Sequence, residues 1–210
     1  MNAMPRRGSA AANAASLLAE DQGGSAAQNA RRKRIIDATI ALAGKGGYEA
    51  VQMRAVAEKA DVALGTLYRY FPSKIHLLVT GLAREFERSL DRLDRTKIPG
   101  DTPYDRVLFV LSRTTRTMQR NPQLTEAMTR AFMFADTSAA TEVDAVGALT
   151  ETLFSGAMTT GDDEPTEEQR AIARVIADVW LSNLVAWVTR RASATDVANR
   201  LELTVRLLLR

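Results

Sequence analysis

Residues 51–74 read VQMRAVAEKADVALGTLYRYFPSK, and this stretch decides the fold. Met53, Val56, Ala57 and Ala60 fall three and four apart, which makes one apolar helical stripe. Asp61 and Val62 then form a turn, because Asp tolerates the left-handed conformation that often stops a helix. A second helix follows, with Leu67 and Phe71 four residues apart and facing inward. At about 100° per residue, Gly65, Thr66, Tyr68 and Arg69 point the other way. That spacing suits an ordinary helical hairpin with a polar face. It also suits a helix-turn-helix whose second helix enters the DNA major groove while hydroxyls and cations grip phosphates. Gly65 favours the second reading: glycine costs about 1 kcal/mol against Ala inside a helix, and close backbone approach to DNA would account for it.

Composition narrows the function classes. The 210 residues include no Cys and one His, His76. Disulfides and thiolate chemistry are therefore excluded, no catalytic triad or histidine metal cluster is expected, and a reducing cytoplasm is the expected location. His76, in SKIHLL, reads as a surface or packing residue. No run approaches the roughly 18 apolar residues of a membrane span, and the N-terminus lacks a signal-peptide apolar core, so no membrane partner is expected. Charge is uneven. Residues 1–74 carry 11 Lys/Arg and 6 Asp/Glu, whereas the other 136 carry 17 and 19. The positive field sits with the helix-turn-helix, as phosphate binding requires.

Residues 1–27, rich in Ala, Ser and Gly with Arg6 and Arg7 near the start, read as a disordered arm. Such an arm serves either as a flexible leader or as a segment reaching into a DNA groove. Arg31, Arg32, Lys33 and Arg34 open the first helix, expected to run to Lys45 with Ile36, Ile40 and Ala43 inward. Four cations at a helix N-terminus oppose the macrodipole, a cost that phosphate contact would offset. Ser73 caps a fourth helix after Pro72, expected to reach Arg95 and span roughly 35 Å. Beyond the Pro99–Gly100 linker, helices are expected over 103–120, 122–136, 139–160, 165–190 and 194–209, with no strand. The fold class is all-α. A three-helix DNA-binding domain (28–74) precedes a connecting helix and a C-terminal helical domain (75–210), about nine helices in all.

The segment Gly47–Lys74 resembles the N-terminal domain of the TetR family of bacterial transcriptional regulators. Gly47, Tyr48, Ala57, Ala60, Val62, the run Gly65-Thr66-Leu67-Tyr68 and Phe71-Pro72-Ser73-Lys74 carry the resemblance. It implies that Thr66, Tyr68, Tyr70 and Lys74 contact phosphates of a double-stranded, palindromic operator, and that Ala63, Leu64, Gly65 and Arg69 lie near base edges. Arg54, on the first motif helix, joins the DNA-binding set. Three residues depart from the pattern: Gln52 and Ala63 replace capping hydroxyls, and Asp61 replaces a turn glycine. An Ala at an N-cap forfeits about 1 kcal/mol, while an apolar Ala63–Leu64 corner suits thymine methyl groups.

The last two helices carry two apolar bands. Ile172, Val175, Ile176 and Val179 form one, with Trp180, Asn183, Leu184, Trp187 and Val188 beyond; Val197, Leu201, Thr204, Val205 and Leu208 form the other. Both could simply bury within their own domain. The family resemblance implies that they also make a homodimer, which suits a palindromic operator. Met118, Leu124, Met128, Phe132, Met133, Phe154, Met158, Trp180, Asn183, Leu184 and Trp187 are the candidate lining of an effector pocket, although such side chains at helical spacing more often form core. Few acidic residues fall on these apolar faces, which favours a neutral or anionic effector. Arg113, Arg116 and Arg120 share one helix face and read either as partners for an effector's phosphates or carboxylate or, the commoner case, as a solvated face. A wider resemblance covers the N-terminal arm, NARRKRIIDATIALA and WLSNLVAWVTRRASATDV. It is to actinobacterial repressors of sterol catabolism within the same family. It implies control of cholesterol-degradation genes and release by a steroid-CoA or acyl-CoA thioester, with no cofactor and no enzymatic activity. A constitutive regulator without an effector, or an efflux regulator responding to another hydrophobic compound, remain the alternatives.

Overall fold

The computed structural model describes residues 26–160 and 163–209, so the arm expected over 1–27 lies outside it but for its last two residues. Among the described residues there are nine α-helices and no strand. They are α1 (Ala26–Ala50), α2 (Met53–Ala60), α3 (Leu64–Tyr70), α4 (Lys74–Asp91), α5 (Pro103–Gln119), α6 (Pro122–Met133), α7 (Ala140–Met158), α8 (Glu167–Val188) and α9 (Ala194–Leu208). The first helix begins at Ala26, before the basic quartet, so Arg31–Arg34 sit past its first turn and do not face the macrodipole directly. Its buried face is Ile35, Ile36, Thr39 and Ala43, with Ile40 only partly covered. At Gly46 and Gly47 the helix breaks. Gly47 takes φ 65° and ψ −159°, a region in which a Cβ is strained, and this turns Tyr48–Ala50 off the helix axis.

The helix-turn-helix forms as its periodicity predicts. Val56, Ala57 and Ala60 of α2 are buried, as are Leu67 and Phe71. Asp61 adopts φ 52° and ψ 57°, and its N–H bonds back to the carbonyls of Ala57 and Glu58. Neither Gln52 nor Ala63 offers a side-chain cap. Ser73 does, its Oγ accepting from the Ile75 N–H at 3.2 Å. Helix α4 stops at Asp91 rather than Arg95 and has 18 residues, or about 27 Å. Asp94 then caps a short 3₁₀ turn, Arg95–Lys97, and the hydrogen bonds from Lys97 and Thr96 hold its carboxyl down to about 2.

The C-terminal core gathers around Trp180. Its ring meets Phe86 and Phe154 edge-on, both at 5.7 Å between centroids, and its indole N–H donates to Thr115 Oγ1 at 2.8 Å. Ile176, Val197, Leu201 and Val205, expected at a subunit interface, belong to this chain's own core and are no more than 3% exposed. Apolar periodicity locates a face but not its partner. The open apolar face of α8 and α9 is instead Val175, Leu203 and Leu207, with Ile172, Val179 and Leu208 partly covered. Contrary to the sequence expectation, α8 is long and apolar enough to cross a membrane by length and composition. It packs on α7, α9 and α6 and carries Arg174 and Asp178 within its span.

One buried charge was invisible in the sequence. Arg106, 6% exposed, donates to the carbonyls of Ala157 (3.0 Å), Ile98 (3.2 Å), Arg95 (3.2 Å) and Thr159 (2.6 Å). Arg95 adds bonds to the Gly156 carbonyl and the Thr159 hydroxyl. Together the two guanidinium groups satisfy the bare carbonyls at the end of α7, where the helix dipole also favours a cation. Replacing Arg106 by Leu orphans those buried acceptors. The expected loss is about 3 kcal/mol, read as a fall of roughly 6–12 °C in melting temperature for a chain of this size.

Candidate nucleic-acid interface and effector cavity

The reading face is α3 with the ends of its neighbours. Ala63, Gly65, Tyr68 and Arg69 are exposed, as is Arg54 on α2; Leu64, Thr66, Tyr70 and Lys74 are half-buried. Tyr68 is 48% exposed, an uncovered aromatic ring with its hydroxyl free to reach outward. A Cβ built at Gly65 would meet nothing within 4 Å, and its φ is not positive. Neither packing nor backbone conformation therefore requires glycine there. The basic quartet of α1 does not act as one group. Arg34 donates its Nε–H to the Ala60 carbonyl at 3.2 Å and closes the end of α2. Arg32 lies 5.5 Å from the centroid of Phe71 and faces Glu87, whose carboxyl burial pushes up while Arg32 opposes the shift. Lys33 pairs with Asp37 at 3.1 Å. Arg31 has no ion-pair partner among the described residues.

Helix α4 attaches this head to the rest of the chain. His76, expected as a surface or packing residue, is buried and ties two elements together. Its Nε2–H donates to the Ser138 carbonyl at 3.1 Å, which leaves Nδ1 to accept from the Ser73 hydroxyl at 3.0 Å. Asp37 draws α1 onto α4 by accepting from Arg84 at 2.9 Å, with Arg88 at 3.5 Å.

Above the head, a cavity of about 410 Å³ opens between α4, α6, α7 and α8. Met118, Phe132, Trp180 and Leu184, all expected, line it. Leu124 and Met128 line instead a chamber of about 70 Å³ that shares Leu82, Phe86 and Met118 with the larger one. The remaining expected residues lie elsewhere. Met133 is 52% exposed, Phe154 and Met158 are filled core, Asn183 folds back to donate to the Val179 carbonyl, and Trp187 packs beside the core. Leu82, Phe86 and Val146 were missed because an empty space between helices leaves no periodic signal. The scarcity of acid expected from the sequence does not hold at the mouth. Asp144 and Glu151 of α7 and Asp178 of α8 line it. Among the described residues, only Glu151 is matched, by Arg174 at 2.9 Å. Arg113, Arg116 and Arg120 are exposed.

Comparison with known proteins agrees with this geometry. The family model described as "Bacterial regulatory proteins, tetR family" matches residues 35–79, and "Tetracyclin repressor-like, C-terminal domain" matches 100–208. The HTH-type transcriptional repressor KstR of Rhodococcus jostii is 70% identical over 93% of this chain and 91% of its own. The crystal structure of a TetR transcriptional regulator from Rhodococcus sp. RHA1 superposes with a TM-score of 0.75 at 33% identity, covering 88% of this chain and 98% of that one. FadR from Bacillus subtilis, solved in complex with stearoyl-CoA, shares the fold at a TM-score of 0.57 and 18% identity, over 84% and 97%.

Gly65 offers a direct test of the reading face. Since the fold has no use for glycine there, Gly65→Ala should raise stability by up to about 1 kcal/mol. If the backbone approaches DNA closely, the same change should weaken operator binding at least tenfold, measured by fluorescence anisotropy beside a thermal melt. Unchanged binding would remove Gly65 from the interface.

Proposed function

The chain belongs to the TetR family of bacterial transcriptional regulators, and we propose that it is a homodimeric repressor of steroid or lipid catabolism genes, released from its operator by a steroid-CoA or acyl-CoA thioester. The observation that carries the effector reading is the apolar cavity against α4. At about 410 Å³ it falls within the usual range of small-molecule sites, roughly 300–1,000 Å³. Identity of 70% to a named KstR repressor supports the genetic role. A neighbour of the same fold was crystallised with stearoyl-CoA. The cytoplasm is the proposed location.

DNA contact in this reading is made by Thr66, Tyr68, Tyr70 and Lys74 on phosphates and by Ala63, Leu64, Gly65 and Arg69 at base edges, with Arg31 and Arg54 as outlying cations. Arg34 and Arg32 support the head from behind. Two copies joined through α8 and α9 place their α3 helices in successive major grooves, about 34–36 Å apart. A ligand wedged against Leu82 and Phe86 favours a different pose of α4 and spoils that spacing. It shifts the equilibrium only by its differential affinity for the two poses, and such coupling is typically 5–150-fold.

The mouth favours a second reading. Asp144 and Asp178, without ion-pair partners among the described residues, suit a cationic amphiphile and hence an efflux-type regulator. Titrating a protein–operator complex with steroid-CoA, long-chain acyl-CoA and lipophilic cations separates the two. Release by a CoA thioester at micromolar concentration is the expected result, and release by the cations alone would overturn it. For the dimer, a Leu203→Glu, Leu207→Glu double substitution on the exposed face should give monomers by analytical ultracentrifugation. It should leave the helical circular dichroism unchanged.

A further inference from the structure

The corner that Gly47 creates brings four charged groups and one ring together between the head and α6. Tyr48 donates its backbone N–H to Glu126 Oε2 at 3.4 Å. Its ring carries two cations, Lys74 Nζ at 3.8 Å and the Arg130 guanidinium at 4.2 Å from the centroid. The neighbouring Glu49 carboxylate faces the same pair. Arg130 Nη1 lies 3.0 Å from Oε1, whereas Lys74 Nζ lies 3.9 Å from Oε2. Arg130 is also 3.8 Å from Glu126.

The Glu49 side chain is 74% exposed, and ion pairs so open to water add little to stability. The arrangement needs another reason. Lys74 is the one member placed at the proposed phosphate contact, and a carboxylate beside it competes with phosphate for its charge. Arg130 holds the nearer oxygen of Glu49 at hydrogen-bond distance and leaves Lys74 at the outer limit of pairing. The Tyr48 face meanwhile supports the ammonium without neutralising it. We infer that Arg130 is a positioning residue for operator binding, occupying Glu49 so that Lys74 stays available to a DNA phosphate. Arg130 lies on α6, the helix whose Thr129 and Phe132 line the cavity, so one helix carries both a part of the cavity wall and the group that holds Glu49. The inference rests on Lys74 being a phosphate contact.

The test uses the full chain and a duplex selected by the wild-type protein from a random DNA pool, with affinity followed from low to high salt. Arg130→Gln should weaken binding about five- to tenfold. It should also flatten the salt dependence by about 0.9 per protomer, the loss of one phosphate contact. Adding Glu49→Gln to that variant should restore both, and no general folding defect would be rescued by removing a second charge. Glu49→Gln alone, at an exposed position, should bind as tightly as wild type or up to threefold more tightly. A flattened slope without rescue, or no change of slope in Arg130→Gln, overturns the inference. Lys74→Gln distinguishes the two levels. If it leaves affinity and slope unchanged, the phosphate reading of Lys74 itself fails. If it weakens binding while Arg130 and Glu49 variants do not, only the positioning role fails.

Discussion

Helix α4 belongs to two cores at once, and this sharing constrains everything else. Its buried run from His76 to Ala83, with Phe86, is unbroken, so no face of its middle is free to slide independently. The first half closes the three-helix head, and α4 also packs on α1, α6 and α7. Leu82 and Phe86, roughly two and three turns from Lys74, form cavity wall. Protein interiors are close-packed and transmit displacement rather than absorb it. A wall moved in the cavity must therefore move the helix start that presents Lys74. The expected division between residues 74 and 75 falls just inside the start of α4, so Lys74 and the cavity wall belong to one helix.

The head was legible because a three-helix unit declares itself through local periodicity. Val56, Ala57, Ala60, Leu67 and Phe71 each have one inward direction, and the turn between them is set by Asp61. The C-terminal half was legible only as a list of helices. Its longest, α8, is apolar over so wide an arc that Ile176 and Val175, one residue apart, look alike in sequence. Yet Ile176 is fully buried and Val175 is 47% exposed. The stripe Val197, Leu201 and Val205 has flawless helical spacing and faces inward. Leu203 and Leu207, four apart on the other side, carry the open face. Spacing reports that a face is apolar, and topology decides what covers it.

Charged residues were misread in the opposite direction. The Arg31–Arg34 run suggested a single phosphate-binding strip, because sequence shows adjacency and net charge but not direction. Four consecutive helical residues span nearly a full turn, so they cannot share one face. Arg34 ends on a helix carbonyl, Arg32 on an aromatic ring and Lys33 on Asp37. Arg106 makes the same point more strongly. Nothing in PYDRVLFV marks its arginine as the one taken into the interior, where four carbonyls from two segments, Arg95–Ile98 and Ala157–Thr159, receive it. Buried cations of this kind are set by where helix ends meet.

The two kinds of contact between head and body differ in what they cost to change. Each large apolar side chain of α4 that left its socket would forfeit about 1.5–3 kcal/mol, so the packing of Leu77, Leu78, Leu82 and Phe86 persists through any working motion. The polar ties are weaker and exchangeable. Arg130–Glu49 is a solvent-facing pair worth at most about 1 kcal/mol. The His76–Ser138 and Tyr48–Glu126 hydrogen bonds are of similar size, about 1 kcal/mol each. Their sum lies within the 1–3 kcal/mol that couples two sites in typical allosteric proteins, whereas the apolar sum lies far outside it. The head can thus be re-aimed by a ligand of ordinary affinity only if α4 moves as a rigid bar. The polar corner around Gly47, Tyr48 and Glu49 and the Ser138 turn then hold the contacts that exchange most cheaply, while the packing of α1 on α6 has to follow the bar.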